Sequence, residues 1–335
     1  MTILRKAARA SMLLFALCAM CSCDAFRSLF DEPAKPGSKG AAYEIIVVCD
    51  QSQWTGEVGD TLRSILLRRV EMLNQREPYF DVLRVTADGF LKLNSEHRNV
   101  LIVNVDSAKY DNAALYVQQD VNALDQIVVT AAAPTSDDMV ALLEADRENI
   151  ISAFELTERR RNIAAYKKHG PRHLTALIKE KFGFTMHLPS GFKLAKQTDN
   201  FLWLRYEMPQ SGQGVLVYSE PYNGPSDLSE SSIIARRNKF AALVPGPSDG
   251  SYMTTSFAES ETLRIDGRLW IRTRGFWDVE GDFMGGPFVS YTTIDTATNS
   301  IITIDGYVFS PVLHKRNYVR EMEHLVYTVE FPTQE

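Results

Sequence analysis

The chain has few of the residues that build common metal sites and disulfide frameworks. Among 335 residues there are four cysteines and six histidines, and three of the cysteines lie within residues 18–23. Cys49 is the only cysteine of the remaining chain, so no disulfide framework is expected. His169 and His173 have the spacing of one helix face, but Gly170-Pro171 between them interrupts a helix. We therefore expect neither a bound metal nor a cofactor.

Excess positive charge and long apolar runs are also missing. The chain has 36 Lys and Arg against 42 Asp and Glu, a net charge of −6. Residues 1–22 hold three cations and no anion, so their removal leaves 33 against 42 and a net charge of −9. Such an acidic chain is not expected to bind nucleic acid. After residue 23 no apolar run is long enough to span a bilayer.

The first 22 residues have the pattern of a bacterial export signal. Arg5, Lys6 and Arg9 precede an apolar run over residues 10–20. The small residue Ser22 then stands directly before Cys23, which resembles the lipobox of bacterial lipoproteins. This resemblance implies a signal peptide over 1–22, acylation of Cys23 and attachment to a membrane of the Gram-negative cell envelope, with the membrane and leaflet undetermined. An ordinary signal peptide that releases a periplasmic protein is the alternative.

Composition divides the rest of the chain into three parts. Residues 23–42, with several Pro and Gly, predict a flexible tether after the acylated cysteine. Residues 43–170 alternate apolar strand-like runs with helical patterns, which predicts an N-terminal α/β layer domain. Within it we expect a helix over about 57–74 and a single long helix over about 137–168, capped by Ser136.

Residues 171–335 predict an antiparallel sheet with helices, an α+β domain. A strand is expected over 184–192, and strands over 201–206 and 215–218 are expected to pair across Gly212-Gln213-Gly214. Asp266-Gly267 predicts a tight hairpin turn between two later strands.

Two resemblances extend this prediction. The order of elements from the F-x-x-x-L-P-x-G-F string at 184–192 to Tyr327-Thr328-Val329-Glu330-Phe331 is similar to the photosystem oxygen-evolving-subunit/Mog1 type of α/β/α sandwich. Strings at 246–255, 279–290 and 315–318 resemble an uncharacterised family of bacterial envelope lipoproteins, which is described as a domain of unknown function. The second resemblance implies a location and two domains, and no activity or site residues.

The glycine-rich segment 281–287 is the best candidate ligand site. Its Phe283 and the preceding Trp277 could line a groove, and Asp278, Glu280 and Asp282 could orient polar groups of a ligand. A hairpin loop whose apolar side chains pack back on the core explains the same residues and is favoured. The aromatic residues of this half are likewise assigned to the core; they are Trp203, Tyr206, Tyr218, Tyr222, Trp270, Phe276, Trp277 and Tyr291.

Two further motifs have simple structural explanations. Residues 246–250 match G-x-S-x-G around Ser248, but no strand precedes the serine and no helix follows, so a polar loop is favoured over a nucleophile. The basic run formed by Arg159-Arg160-Arg161 and Lys167-Lys168-His169, with Arg172, could contact anionic headgroups, lipopolysaccharide or an acidic partner, and a solvated helix end is favoured.

The sequence therefore favours a non-enzymatic lipoprotein that acts in binding or assembly at a membrane surface, with an envelope protein or a glycan as its partner. The alternative is an envelope hydrolase or glycan-processing enzyme that uses acidic residues near loop 277–287. Two carboxyl groups that face a cleft about 5–10 Å apart would support the enzyme.

Overall fold

A computed structural model describes residues 35–332, which form two sheets, one in each half of the chain. The predicted signal peptide and Cys23 lie outside the described residues. Within 35–332 no helix has both the length and the apolarity needed to cross a membrane.

The N-terminal sheet is parallel except at one edge. Its central strands are apolar on both faces and are buried, as expected for strands covered on two sides. The strand order is β2-β1-β3-β5-β4, and only β4 runs antiparallel to its neighbour. The strands are β1 (Glu44–Val48), β2 (Asp81–Val85), β3 (Asn99–Val105), β4 (Ala114–Gln119) and β5 (Ile127–Ala133).

Helices pack on one face of this sheet and Phe90, which follows Ala87–Gly89, packs on the other; two predicted helices differ from expectation. The helix expected over 57–74 ends at Leu66, because the chain then turns back and buries Phe80 in the core. The helix expected over 137–168 is broken at Asp146, which lets both pieces bury apolar residues in one core. Thr135 is the N-cap, where Ser136 was expected. The helices are α1 (Gln51–Thr55), α2 (Glu57–Leu66), α3 (Ala87–Gly89), α4 (Ser136–Ala145) and α5 (Arg147–His169).

The C-terminal half is a seven-stranded antiparallel sheet with helices on both faces. Helices α6 and α8 cover one face and α7 covers part of the other, so the predicted fold class is confirmed. The strand order is β6-β7-β8-β12-β11-β10-β9. The strands are β6 (Lys193–Thr198), β7 (Phe201–Met208), β8 (Ser211–Pro221), β9 (Tyr252–Ile265), β10 (Arg268–Glu280), β11 (Gly285–Asp295) and β12 (Ser300–Phe309); the helices are α6 (Arg172–Phe182), α7 (Glu230–Ala241) and α8 (Arg316–His324).

Turn predictions in this half are right at one hairpin and wrong at another. Asp266-Gly267 forms the turn between β9 and β10, with positive φ at both residues, as a type I′ turn requires. The β7–β8 turn lies at Pro209-Gln210, because Gly212 and Gly214 pair inside the ladder. The strand expected over 184–192 is absent from the ladder; its apolar side chains are buried, and only Thr185 bridges to Glu330.

The end of the predicted tether is packed on the N-terminal half. Gly37 forms a β-bridge with Leu124, and Lys39 forms one with His97. These backbone bonds contradict a flexible tether that continues to residue 42, because the chain is held from Gly37 onward.

Helix α8 joins the two halves. The buried carboxylate of Glu77 accepts hydrogen bonds from the backbone N–H groups of Lys315 (2.8 Å) and Arg316 (2.9 Å), so the N-terminal half caps this helix. Arg320 donates to the Tyr79 carbonyl at 2.9 Å. His324 lies between the Tyr43 hydroxyl (3.3 Å) and the Asn162 amide (2.9 Å), two groups of the N-terminal half. Arg316, Arg320 and His324 are four residues apart and therefore share the helix face that meets the N-terminal half.

The buried His324 should make stability fall in acid. Burial lowers its pKa to about 3, helped by nearby Arg159 and Arg320, whereas an unfolded histidine has a pKa of about 6.5. The unfolded chain therefore binds more protons below about pH 6.5, so this contribution to stability is complete above that pH and is lost as pH falls toward 3. Between wild type and His324→Gln, the difference in unfolding free energy should change by up to about 1.4 kcal/mol per pH unit in this window.

Urea denaturation at several pH values measures this difference. Exposed His314→Gln is the matched control and should follow the wild-type curve. Burial raises the pKa of Glu155, Glu321 and Asp305, and these carboxyl groups therefore add stability as pH falls. Both proteins contain them, so their contribution cancels in the difference between wild type and His324→Gln. A wild-type–His324→Gln difference that does not vary with pH would contradict the account.

Candidate functional site

One face of the C-terminal sheet is only partly covered. Helix α7 packs on it through Phe240, which stacks against Phe201 and Tyr218 at centroid distances of 5.9 and 4.4 Å. The chain leaves the sheet surface after Val244 and returns as β9. The strip of sheet beyond the end of α7 is left as an open groove.

This aromatic groove has a volume of about 580 Å³. That volume falls in the range of about 300–1,000 Å³ typical of ligand sites. The floor consists of aromatic and apolar side chains from β7, β9, β10 and β12, and polar residues of the β7–β8 hairpin contribute to the lining. The residues that define it here are Trp203, Met253, Trp277, Met284, Tyr307 and Phe309, with Arg205, Glu207, Gln210 and Gln213 from the hairpin.

Glycines opposite the aromatic residues shape the floor. Tyr307 pairs in register with Gly214, and a Cβ at Gly214 would lie 2.1 Å from the Tyr307 ring. Trp277 pairs with Gly286, where a Cβ would lie 2.2 Å from the Val308 carbonyl and 3.1 Å from the Trp277 indole nitrogen. Each ring therefore lies beside a glycine of the neighbouring strand, at a position where any larger residue would clash.

The polar atoms of the floor are largely bonded within the protein. The Trp203 indole N–H donates to the Tyr307 hydroxyl at 2.9 Å, and the Trp277 indole N–H donates to the Val308 carbonyl at 3.2 Å. Burial raises the pKa of Tyr307, with the bond from Trp203 opposing it, so the phenol stays protonated. The Tyr307 hydroxyl accepts one bond and keeps a proton that it can donate to a ligand.

Two loops meet beside the groove. The Ser248 hydroxyl donates to the Asp282 carboxylate, and this bond, with that from the Phe283 N–H, lowers the pKa of Asp282. Ser248 thus joins the 246–250 loop to the β10–β11 hairpin. The geometry is that of a polar loop, as expected, because a carboxylate accepts from Ser248 and no histidine is its partner.

The structure separates the residues predicted as a ligand site. Trp277 is buried and lines the groove, but Asp278 and Glu280 alternate with Trp277 and Val279 and lie exposed on the other face of β10. Asp282 is in the hairpin loop, and Phe283 is fully exposed. Asp278 and Glu280 therefore do not face the groove as a carboxylate pair.

Sequence reasoning missed most of the groove. Trp203 was assigned to the core, where it packs, and its place in the groove was not foreseen; Met284 was named only as a side chain that packs back on the core, and Tyr307 and Phe309 were not singled out. The missed signal was glycine inside strands at 214 and 286, where another group approaches closely. Within 35–332 no three His, Cys, Asp or Glu residues are grouped as metal ligands.

A methyl group at Gly214 should disrupt the floor. Gly214→Ala would push its Cβ into the Tyr307 ring, so we expect a loss of about 1–3 kcal/mol in unfolding free energy from overpacking, with changed tryptophan fluorescence. Gly212→Ala is the control, because its nearest neighbour, the Tyr206 carbonyl oxygen, would lie 3.7 Å away. Urea denaturation compares the two. Equal losses would show that close packing on Gly214 is not the cause.

Comparisons with known proteins divide the chain in the same place as its two sheets. Residues 38–167 match a family described as a domain of unknown function (DUF8532). Residues 172–328 match another domain of unknown function (DUF4837). The chain matches none of the curated proteins.

Two solved structures show weak similarity. The solution structure of cyanobacterial PsbP (CyanoP) from Synechocystis sp. PCC 6803 is 15% identical, with 45% of this chain and 87% of that chain covered and a TM-score of 0.31. A crystal structure from Bacteroides thetaiotaomicron VPI-5482 is 10% identical, with 45% and 46% covered and a TM-score of 0.26. By the matches over residues 38–167 and 172–328, each half of the chain is similar to a family of unknown function.

Proposed function

We propose that this protein is a lipid-anchored binding module of the cell envelope, and that its aromatic groove holds an apolar segment of a partner protein. The observation that carries the proposal is the groove itself, which leaves about 580 Å³ open over an aromatic floor. An open apolar surface of this kind is typical of a binding site.

The chemistry of the floor favours apolar side chains over a sugar. Both indole N–H groups already donate to protein acceptors, and Arg205 pairs with Glu207 on the hairpin, so the Tyr307 hydroxyl is the polar group that the floor itself offers a ligand. Sugar hydroxyls placed on this floor would lose bonds to water without gaining equivalent ones, which costs free energy. Aliphatic or aromatic side chains have no such cost.

The geometry gives less support to the enzyme alternative. A glycan-processing enzyme would need two carboxyl groups facing the cleft. Asp278 and Glu280 lie on the other face of β10, and Asp282 is bonded to Ser248 in the loop. Binding, rather than hydrolysis, is therefore the function we propose.

Adjacent residues of the β10–β11 hairpin give a matched test of the groove. Met284 lines the groove, whereas Phe283 is fully exposed and outside its lining. Met284→Glu should weaken binding of capped apolar peptides by about tenfold or more, because a carboxylate would have to be desolvated on an apolar floor. Phe283→Glu should bind as wild type does. Quenching of tryptophan fluorescence measures affinity.

Chitooligosaccharides and peptidoglycan fragments are titrated beside the peptides, and the products are analysed. Tight binding or turnover of a glycan, without peptide binding, would overturn the proposal. Equal weakening by the two variants would remove the groove as the site.

The anchor is tested separately at Cys23. Cys23→Ser removes the thiol that would be acylated, so we expect the protein to move from the membrane fraction to the soluble fraction. Fractionation of cells followed by immunoblotting measures the distribution. Cys21→Ser is the control and should leave the protein with the membrane. Membrane association that persists in Cys23→Ser would refute a lipid anchor at this residue.

A further inference from the structure

A second cavity lies where the two halves meet. It has a volume of about 280 Å³ and is lined by α5, α8, strands β10 and β11, and part of the segment between α2 and β2. Its distinctive feature is five guanidinium groups contributed by both halves. The residues of this arginine cleft are Arg159 on α5, Arg272 and Arg274 on β10, and Arg316 and Arg320 on α8.

Four of these arginines are paired with carboxylates. The pairs are Arg272 with Glu261, Arg274 with Glu323, Arg316 with Asp81 and Arg320 with Glu155. Arg159 is different. Its guanidinium lies 3.9 Å from the centroid of the Tyr327 ring, and among residues 35–332 it forms no ion pair, since the α5 carboxylates Glu155 and Glu158 pair with other arginines. One positive charge of the cleft is therefore held by an aromatic face without a counter-charge.

Two buried donors in the cleft make no directed hydrogen bond. Arg274 Nε and Arg320 Nη2 are buried without a hydrogen bond in the described part of the chain. Arg320 is only 5% exposed, and although its Nη2 lies 2.8 Å from Glu155 Oε1, that oxygen also has no directed hydrogen bond. A buried donor without a partner is costly, particularly when it is charged. The cleft thus has an unpaired positive charge at Arg159 and a buried donor without an acceptor at Arg274 Nε.

We propose that the arginine cleft binds a small oxyanion, a phosphate or a carboxylate group. Guanidinium donors are arranged in a planar fork that matches the oxygens of both groups. The buried His324 at the cleft is neutral at physiological pH, since its pKa lies near 3, and it neither repels nor requires an anion. Glu71 also lines the cleft, but it is exposed, so water screens its charge.

The position of the cleft gives the anion a structural role. Arg159 belongs to the N-terminal half, and Arg274 and Arg320 belong to the C-terminal half. A bound oxyanion would accept hydrogen bonds from both and hold α5 against α8. Arg159 differs in this from its neighbours in the basic run. Arg160 bonds Gln119 and Arg161 bonds Glu158, both within the N-terminal half.

Neighbouring arginines on α5 supply the matched variants. Arg159→Gln removes the unpaired charge of the cleft, whereas Arg160→Gln removes an exposed charge that bonds Gln119 at 2.8 Å. Calorimetric titration with inorganic phosphate and with succinate, at constant ionic strength set by chloride, should show binding to the wild-type protein. Arg159→Gln should weaken it by about tenfold or more, as expected for a lost charge-assisted hydrogen bond, and Arg160→Gln should leave it unchanged.

Vesicles distinguish a soluble anion from a lipid headgroup. Protein lacking the acyl chain (Cys23→Ser) is mixed with phosphatidylcholine vesicles with and without phosphatidylglycerol. Arg159-dependent binding to the anionic vesicles alone would assign the site to a lipid phosphate, and Arg159-dependent binding of free phosphate or succinate would assign it to a soluble anion. The proposal is overturned if no probe binds the wild-type protein, or if Arg160→Gln weakens binding as much as Arg159→Gln. Neither result bears on the aromatic groove.

Discussion

The capping of α8 by Glu77 is the contact on which the arrangement of the two halves depends. A helix start has backbone N–H groups without partners, and here a buried carboxylate from the other half of the chain satisfies two of them. The same helix packs Met322 onto the sheet at Gly306. Helix α8 therefore packs against both halves. One of its faces contributes to the core of the C-terminal sheet, and another contacts the N-terminal half. The arginine cleft exists because that boundary is built largely from charged side chains.

A different constraint holds the opposite face of the C-terminal sheet. Arg237 on α7 and Asp305 on β12 form a fully buried ion pair at 2.7 Å, and Arg237 also lies over the Phe288 ring. Burial raises the pKa of Asp305 and Arg237 opposes that rise, so each charge depends on the other. Because this pair fixes where α7 lies, it also determines where the helix stops covering the sheet. The aromatic groove is the uncovered remainder, and its rings are held by packing on glycines opposite them.

The fold could be predicted from the sequence much further than the sites could. Apolar runs such as 44–49 and the Asp266-Gly267 turn act locally, so they indicate strands and hairpins before any tertiary contact is known. The end of α2 at Leu66 depends on burial of Phe80, a tertiary contact that helical periodicity does not contain. The groove depends on which residues pair across strands: Trp277 was found, but its partner Gly286 and the distant Tyr307–Gly214 pair required the register. The arginine cleft joins residues more than 100 positions apart, and only Arg159 lay in a run that the sequence marked.

The origin of the cap on α8 bears on how the chain can be divided. The two family matches end and begin at residues 167 and 172, which invites the view that each half is a transferable module. A fragment beginning at residue 172 would lack Glu77, so it would expose the N–H groups of Lys315 and Arg316. It would also expose the side chains of Arg316, Arg320 and His324, which here contact the N-terminal half. The boundary of sequence similarity therefore separates helix α8 from the carboxylate that caps it. The contacts of α8 with Glu77, Tyr79, Tyr43 and Asn162 thus lie across the boundary that the two family matches draw.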